Sequence, residues 1–143
     1  MSKIKVVFWT GSGNTEAMAN AIVEGINGAG KEGEAVFVSD ITPGDLAGES
    51  VFALGCPAMG AEVLEETEME PFVEALESSV NGKKIALFGS YGWGDGEWMR
   101  EWVDRMAAAG AQVVNGEGLM AHETPDEDAL EECKSLGQQL ASL

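Results

Sequence analysis

"IKVVFWTGSGNTEAMANAI", residues 4–22, holds the transition on which the fold turns. Ile4, Val6, Val7, Phe8 and Trp9 make a nearly continuous apolar run. It has the length and composition of a strand covered on both faces. Thr10 to Thr15 then supplies two glycines, three hydroxyls and one amide, with no Lys or Arg. After that loop the period changes. Met18, Ala19, Ile22, Val23 and Ile26 fall on one stripe of a helix.

The same alternation continues outward. Residues 35–38, 51–55, 84–89 and 111–114 read as further strands, and 4–9 as the first. Between and after them, Phe72, Val73 and Leu76 make a second helical stripe. Trp98, Trp102, Val103 and Met106 make a third, and Leu130, Cys133, Leu136, Gly137 and Leu140 a fourth. Helix starts are marked by Thr67 with Glu70 three residues on, and by Thr124-Pro125-Asp126-Glu127 with Pro125 at the first helical position. There are no repeats and no linker-like segment, so residues 1–143 read as one α/β domain. The alternation predicts a five-stranded, doubly wound parallel sheet with helices on both faces.

Composition excludes several function classes. The chain of 143 residues carries 25 acids against 8 bases, a formal charge of −17. Phosphate-backbone binding needs clustered Lys and Arg, so nucleic acid is not the expected partner. A basic protein surface is. No apolar run approaches the ~20 residues of a membrane span, and the first is too short for a signal-peptide core. The two cysteines, Cys56 and Cys133, form no CxxC or zinc spacing. A reduced, cytoplasmic, monomeric protein is the expectation.

In open parallel sheets ligands bind beyond the carboxyl ends of the strands. Three loops follow such ends: 10–15, 56–63 and 90–97. In the first, glycines let the backbone curl around a ligand, and the next helix aims its free N–H groups and positive dipole end at it. That combination binds phosphate without a cationic side chain. A P-loop is excluded because Asn14 and Thr15 stand where Lys and Ser/Thr belong. The dinucleotide fingerprint is excluded because Glu16 replaces its third glycine. The second loop, Cys56-Pro57-Ala58-Met59-Gly60-Ala61-Glu62, lacks the Arg that a phosphatase nucleophile at Cys56 requires. Cys56 is expected to be a buried, small apolar residue. Met59 is expected to be exposed and able to pack on a flat ring, with Gly60 permitting positive φ. In the third loop, Gly92, Gly94 and Gly96 leave Tyr91 and Trp93 bare as stacking platforms, and Asp95 is placed to cap a helix starting near Glu97. A ligand with a phosphate and a planar ring fits all three loops together.

"WTGSGNTEAMA", "LGCPAMGAEVLEE", "EPF" and "GKKIALFGSYGWGDGEWMREW" resemble the flavodoxins, specifically the short-chain type of anaerobic bacteria. The resemblance covers nearly the whole chain in order and length. It implies the strand order 2-1-3-4-5 and non-covalently bound FMN. Thr10, Gly11, Ser12, Gly13, Asn14 and Thr15 would hold the phosphate with Ser90. Met59 would lie on the inner ring face and Trp93 on the outer, Glu62 would meet N3, and Gly92 would line the pyrimidine side. Pro57, Ala58, Tyr91, Gly94 and Asp95 complete the implied set. Pro57 replaces a Ser, and Ala61 an Asp, found in some relatives. The Met59-Gly60 peptide would turn its carbonyl toward flavin N5 in the semiquinone, a hydrogen bond worth roughly 0.5–1.5 kcal/mol.

The implied function is low-potential one-electron transfer between semiquinone and hydroquinone, with transient partners (reductases, oxidoreductases) that present basic docking faces. Glu62, Glu65, Glu66, Glu68 and Glu70 crowd the second loop. Each carboxylate about 10 Å away costs the anionic hydroquinone roughly 0.4–0.8 kcal/mol, or about 20–35 mV. Two other functions fit the sequence less well. An FMN-dependent small-molecule reductase needs a substrate cavity for which little chain remains. A phospho-receiver needs acids after the first strand and an Asp after the third, where Thr10 and Cys56-Pro57 stand. His122, the one histidine, is expected in a surface loop after the fifth strand.

Overall fold

The computed structural model describes residues 3–59, 63–92 and 94–143. In chain order it contains β1 (Ile4–Phe8), α1 (Asn14–Gly28), β2 (Gly33–Phe37), a single 3-10 turn, α2 (Pro43–Ala47), β3 (Val51–Gly55), α3 (Met69–Leu76), β4 (Lys84–Tyr91), α4 (Glu97–Ala108), β5 (Gln112–Val113), β6 (Leu119–His122) and α5 (Glu127–Ala141). The strands order as β2-β1-β3-β4-β5, all parallel, and β6 also pairs with β4. This is the expected 2-1-3-4-5 sheet with its last position shared by two strands. β5 pairs with the start of β4 at Lys84 and Ile85, and β6 with its end, from Phe88 to Tyr91.

The continuous apolar runs follow from two covered faces. Val6 and Phe8, Ala53, and Ala86 and Phe88 join the core under α1 and α5. Val7, Phe52 and Leu54, and Ile85 and Leu87 join the core under α3 and α4. Successive residues of one strand therefore enter opposite cores, as a period of two demands. Two glycines permit the close crossing of α1 and α5. A Cβ on Gly25 would stand 2.0 Å from the Lys134 carbonyl oxygen, and one on Gly137 2.0 Å from that of Ile22.

Several local expectations are corrected. Thr67 and Glu70 do not form a capping box: the Thr67 N–H and hydroxyl both donate to Glu65, and Glu70 pairs with Arg105 at 2.7 and 2.8 Å. α5 begins at Glu127 with Asp126 as its cap, accepting from the Ala129 N–H at 2.8 Å, so Pro125 lies before the helix. The capping box that does form is one the sequence reading passed over. Thr42 and Asp45 exchange side-chain and backbone bonds at the start of α2, with Pro43 in the first turn. β6 was also missed, because Gly116 and Gly118, at φ 60° and 82°, break its pattern from that of β5.

Candidate functional site

The first loop is shaped by Gly13. It takes the N-cap of α1 at φ 95°, where a Cβ would meet nothing within 4 Å but an L-residue would be strained. Its N–H donates to the Thr10 hydroxyl at 3.0 Å, which folds the loop back on itself. Its carbonyl accepts from Ala17 at 3.0 Å, the first bond of the helix. The N–H groups of Asn14, Thr15 and Glu16 precede that bond, and glycine brings no side chain to cap them. Amide donors at a positive helix end suit a dianion. A flavin phosphate fits this donor set, which needs no lysine.

Ser90 connects the loops. Its hydroxyl lies 3.2 Å from that of Thr15, and both residues are buried. Its carbonyl accepts from the Ala58 N–H at 3.0 Å. Gly89 just before it is compulsory, since a Cβ there would sit 2.1 Å from the Cys56 carbonyl oxygen. One residue at the end of β4 thus holds the phosphate loop by its side chain and the second loop by its backbone.

The second loop continues the sheet beyond β3. The Cys56 N–H donates to the Phe88 carbonyl at 3.1 Å, and the buried Trp98 indole N–H donates to the Cys56 carbonyl at 3.1 Å. Met59 and Val63 then exchange both backbone hydrogen bonds, at 2.9 and 3.0 Å. Met59 is half-buried rather than exposed. Its carbonyl is the acceptor for Val63, so turning it toward a flavin costs that bond. Cys56 is wholly buried, and burial pushes its thiol up to about 12. It is a packing residue, as expected, and not a nucleophile. Gly60, Ala61 and Glu62, and the stacking role assigned to Trp93, lie outside the described residues.

In the third loop, Tyr91 is half-buried. Its ring centroid lies 5.8 Å from that of Trp98 and 5.0 Å from that of His122. His122 is not in a loop. It ends β6 opposite Tyr91, and its Nε2 lies 3.2 Å from the Gly92 carbonyl oxygen. Gly94 and Gly96 adopt φ 88° and 93°. Gly96, not Asp95, is the N-cap of α4, while the Asp95 carboxylate meets Arg100 at 3.0 Å. His122 is the site-edge residue that sequence reasoning placed elsewhere, and recognition of β6 would have found it.

The acids beside the second loop do not act alike. Glu65 is 5% exposed and caps α3, accepting from the N–H groups of Thr67, Glu68 and Met69 at 2.8–3.1 Å. Burial opposes its ionisation. The Thr67 hydroxyl and the three N–H donors outweigh burial and hold the carboxyl below its usual range. Glu70 and Glu77 share Arg105, so the three together keep one negative charge. The segment therefore keeps the charge of Glu65, while that of Glu70 is partly offset by Arg105.

The flavodoxin family model matches residues 6–137. A flavodoxin of Clostridium beijerinckii is 47% identical, covering 98% of this chain and 100% of its own length. One of Megasphaera elsdenii is 46% identical, covering 96% and 98%. The solution structure of two-electron reduced Megasphaera elsdenii flavodoxin superposes with a TM-score of 0.87 at 45% identity, over 98% of this chain and 99% of that one. The strand order agrees with these likenesses, and the chain belongs to the flavodoxin family of FMN-binding electron carriers.

Proposed function

We propose that residues 1–143 form one FMN-binding domain. Thr10 to Thr15 and Ser90 hold the phosphate, and Pro57 to Met59 with Tyr91 and Gly92 border the ring. Gly60, Glu62, Trp93, Gly94 and Asp95 complete the site. The observation that carries this reading is Ser90, whose two polar groups bring the first and second loops together at one strand end. When bound, FMN supplies the one-electron chemistry. The protein's own part is to fix the phosphate with neutral donors, to limit water at the ring and to set the charge around it.

The partner reading rests on charge placement. Lys3, Lys5, Lys31, Lys83 and Lys84 lie at or before the amino ends of strands, and they are five of the eight bases. Glu16, Glu66, Glu68, Glu97, Glu127 and Asp128 lie near the helix starts at the opposite, site-bearing end. The chain is thus polar, and its acidic end carries the candidate site. A redox partner with a basic face is steered toward that end, transiently and in a salt-dependent way. No helix among the described residues is long and apolar enough to cross a membrane. The working site is the cytoplasm, and the working form a monomer.

Titration of apoprotein with FMN, followed by quenching of flavin fluorescence, tests the reading. One equivalent should bind, and reductive titration should then proceed through a one-electron reduced flavin. A protein that takes up no FMN would rule the site out.

A further inference from the structure

The turn closed by Met59 and Val63 is followed by a buried carboxylate whose partners all come from the protein. Glu65 accepts hydrogen bonds from the N–H groups of Thr67, Glu68 and Met69 and from the Thr67 hydroxyl. Its own N–H donates to the Cys56 sulfur at 3.4 Å, and its carbonyl accepts from the Glu70 N–H at 2.8 Å. Cys56 is where the second loop begins, and Trp98 pins its carbonyl. Glu65 therefore ties the far stem of the turn to its near stem and to the first turn of α3.

We propose that Glu65 is a positioning residue for FMN, which sets where the Met59–Val63 turn stands against the ring. The inference rests on the assignment of that turn to the flavin site. The chemistry favours a carboxylate. Four donors converge on two acceptor oxygens, which a buried anion accommodates. A glutamine would face part of this set with an N–H₂ group, and donors would oppose donors. The stem would relax, and the turn with it. Glu66, exposed on the same segment, has no such role.

The test compares E65Q with E66Q in apoprotein reconstituted with FMN. E65Q should weaken FMN binding about tenfold, the scale of a lost charge-assisted bond, and should move the two one-electron potentials by unequal amounts. E66Q should leave the dissociation constant unchanged and only make reduction to the anionic form easier. If E65Q matches E66Q in affinity and potentials, Glu65 acts only through its charge and the inference is overturned. Circular dichroism of the apoproteins separates loss of the turn from loss of the fold. Should E65Q not fold, T67V, which removes one donor, should still weaken FMN about threefold, and an unchanged affinity overturns the inference. Wild-type protein that takes up no FMN overturns the site assignment itself. A wild type that binds, with an unaltered E65Q, overturns only the role of Glu65.

Discussion

The phosphate loop and the Met59 turn sit side by side and are specified in opposite ways. Apart from the contact of Thr15 with Ser90, residues 10–15 take their shape from within. Gly13 provides the left-handed corner, Thr10 accepts the Gly13 N–H three residues on, and α1 begins at once. Residues 56–65 take theirs from elsewhere. Phe88, Ser90 and Trp98 hold the near stem, and Glu65 holds the far stem through its cap on α3. A loop that binds by helix-end amides needs little from the rest of the fold. The segment proposed to stand over the ring is anchored on several elements.

That contrast can be broken at each end. The largest effect is expected for Gly13→Val, which places a β-branched residue at φ 95°. A strain of about 1–3 kcal/mol corresponds to a loss of roughly 5- to 150-fold in FMN affinity, read by fluorescence titration, with thermal stability changed less than binding. Trp98→Phe should act on the second loop and its Tyr91 neighbour and spare the phosphate loop. It leaves the buried Cys56 carbonyl without its indole donor at a cost of about 1–3 kcal/mol. The expected signature is a changed yield of one-electron reduced flavin with riboflavin and FMN equally affected, since the phosphate loop is intact. A selective loss of FMN over riboflavin would contradict the division. Ser90→Ala removes the hydroxyl that faces Thr15 and should weaken FMN by roughly fivefold, about 1 kcal/mol.

The smallest effect is one of pH. The Glu65 carboxyl is held below its ordinary value of 4.5, so the unfolded chain binds its proton more readily than the folded one. Its contribution is fully present above that value and is lost as the pH falls through the lowered folded value. Acid unfolding of wild type and E65Q should therefore differ by a constant amount well above 4.5 and converge only once the pH has fallen through the lowered folded value. Parallel curves across the whole range would show that Glu65 does not gain its bonds on folding.

The site was legible wherever local chemistry suffices. Thr10 to Thr15 announce a helix start without charge, whereas the bare aromatics expected from the third-loop glycines do not hold for Tyr91, which packs against Trp98 and His122, and Trp93 lies outside the described residues. It was misread wherever a residue has a rival partner. Thr67 and Glu70 have the spacing of a capping box, but Glu65 and Arg105 bind them more strongly because both partners are charged. His122 was placed in a loop because only pairing with the distant β4 makes its segment a strand.

Hydrophobic period, glycine position and helix-end chemistry are properties of short stretches of chain. They are enough to dictate the parallel sheet, the loops at its carboxyl edge where the ligand site is proposed, and a glycine-led helix start free of lysine. Which acids remain charged toward a ligand, how β5 and β6 divide one sheet position, and how three loops meet at Ser90 depend on residues 25 or more positions apart in sequence. Such contacts come into being only when the sheet closes, because burial then gives each polar group one partner in place of water.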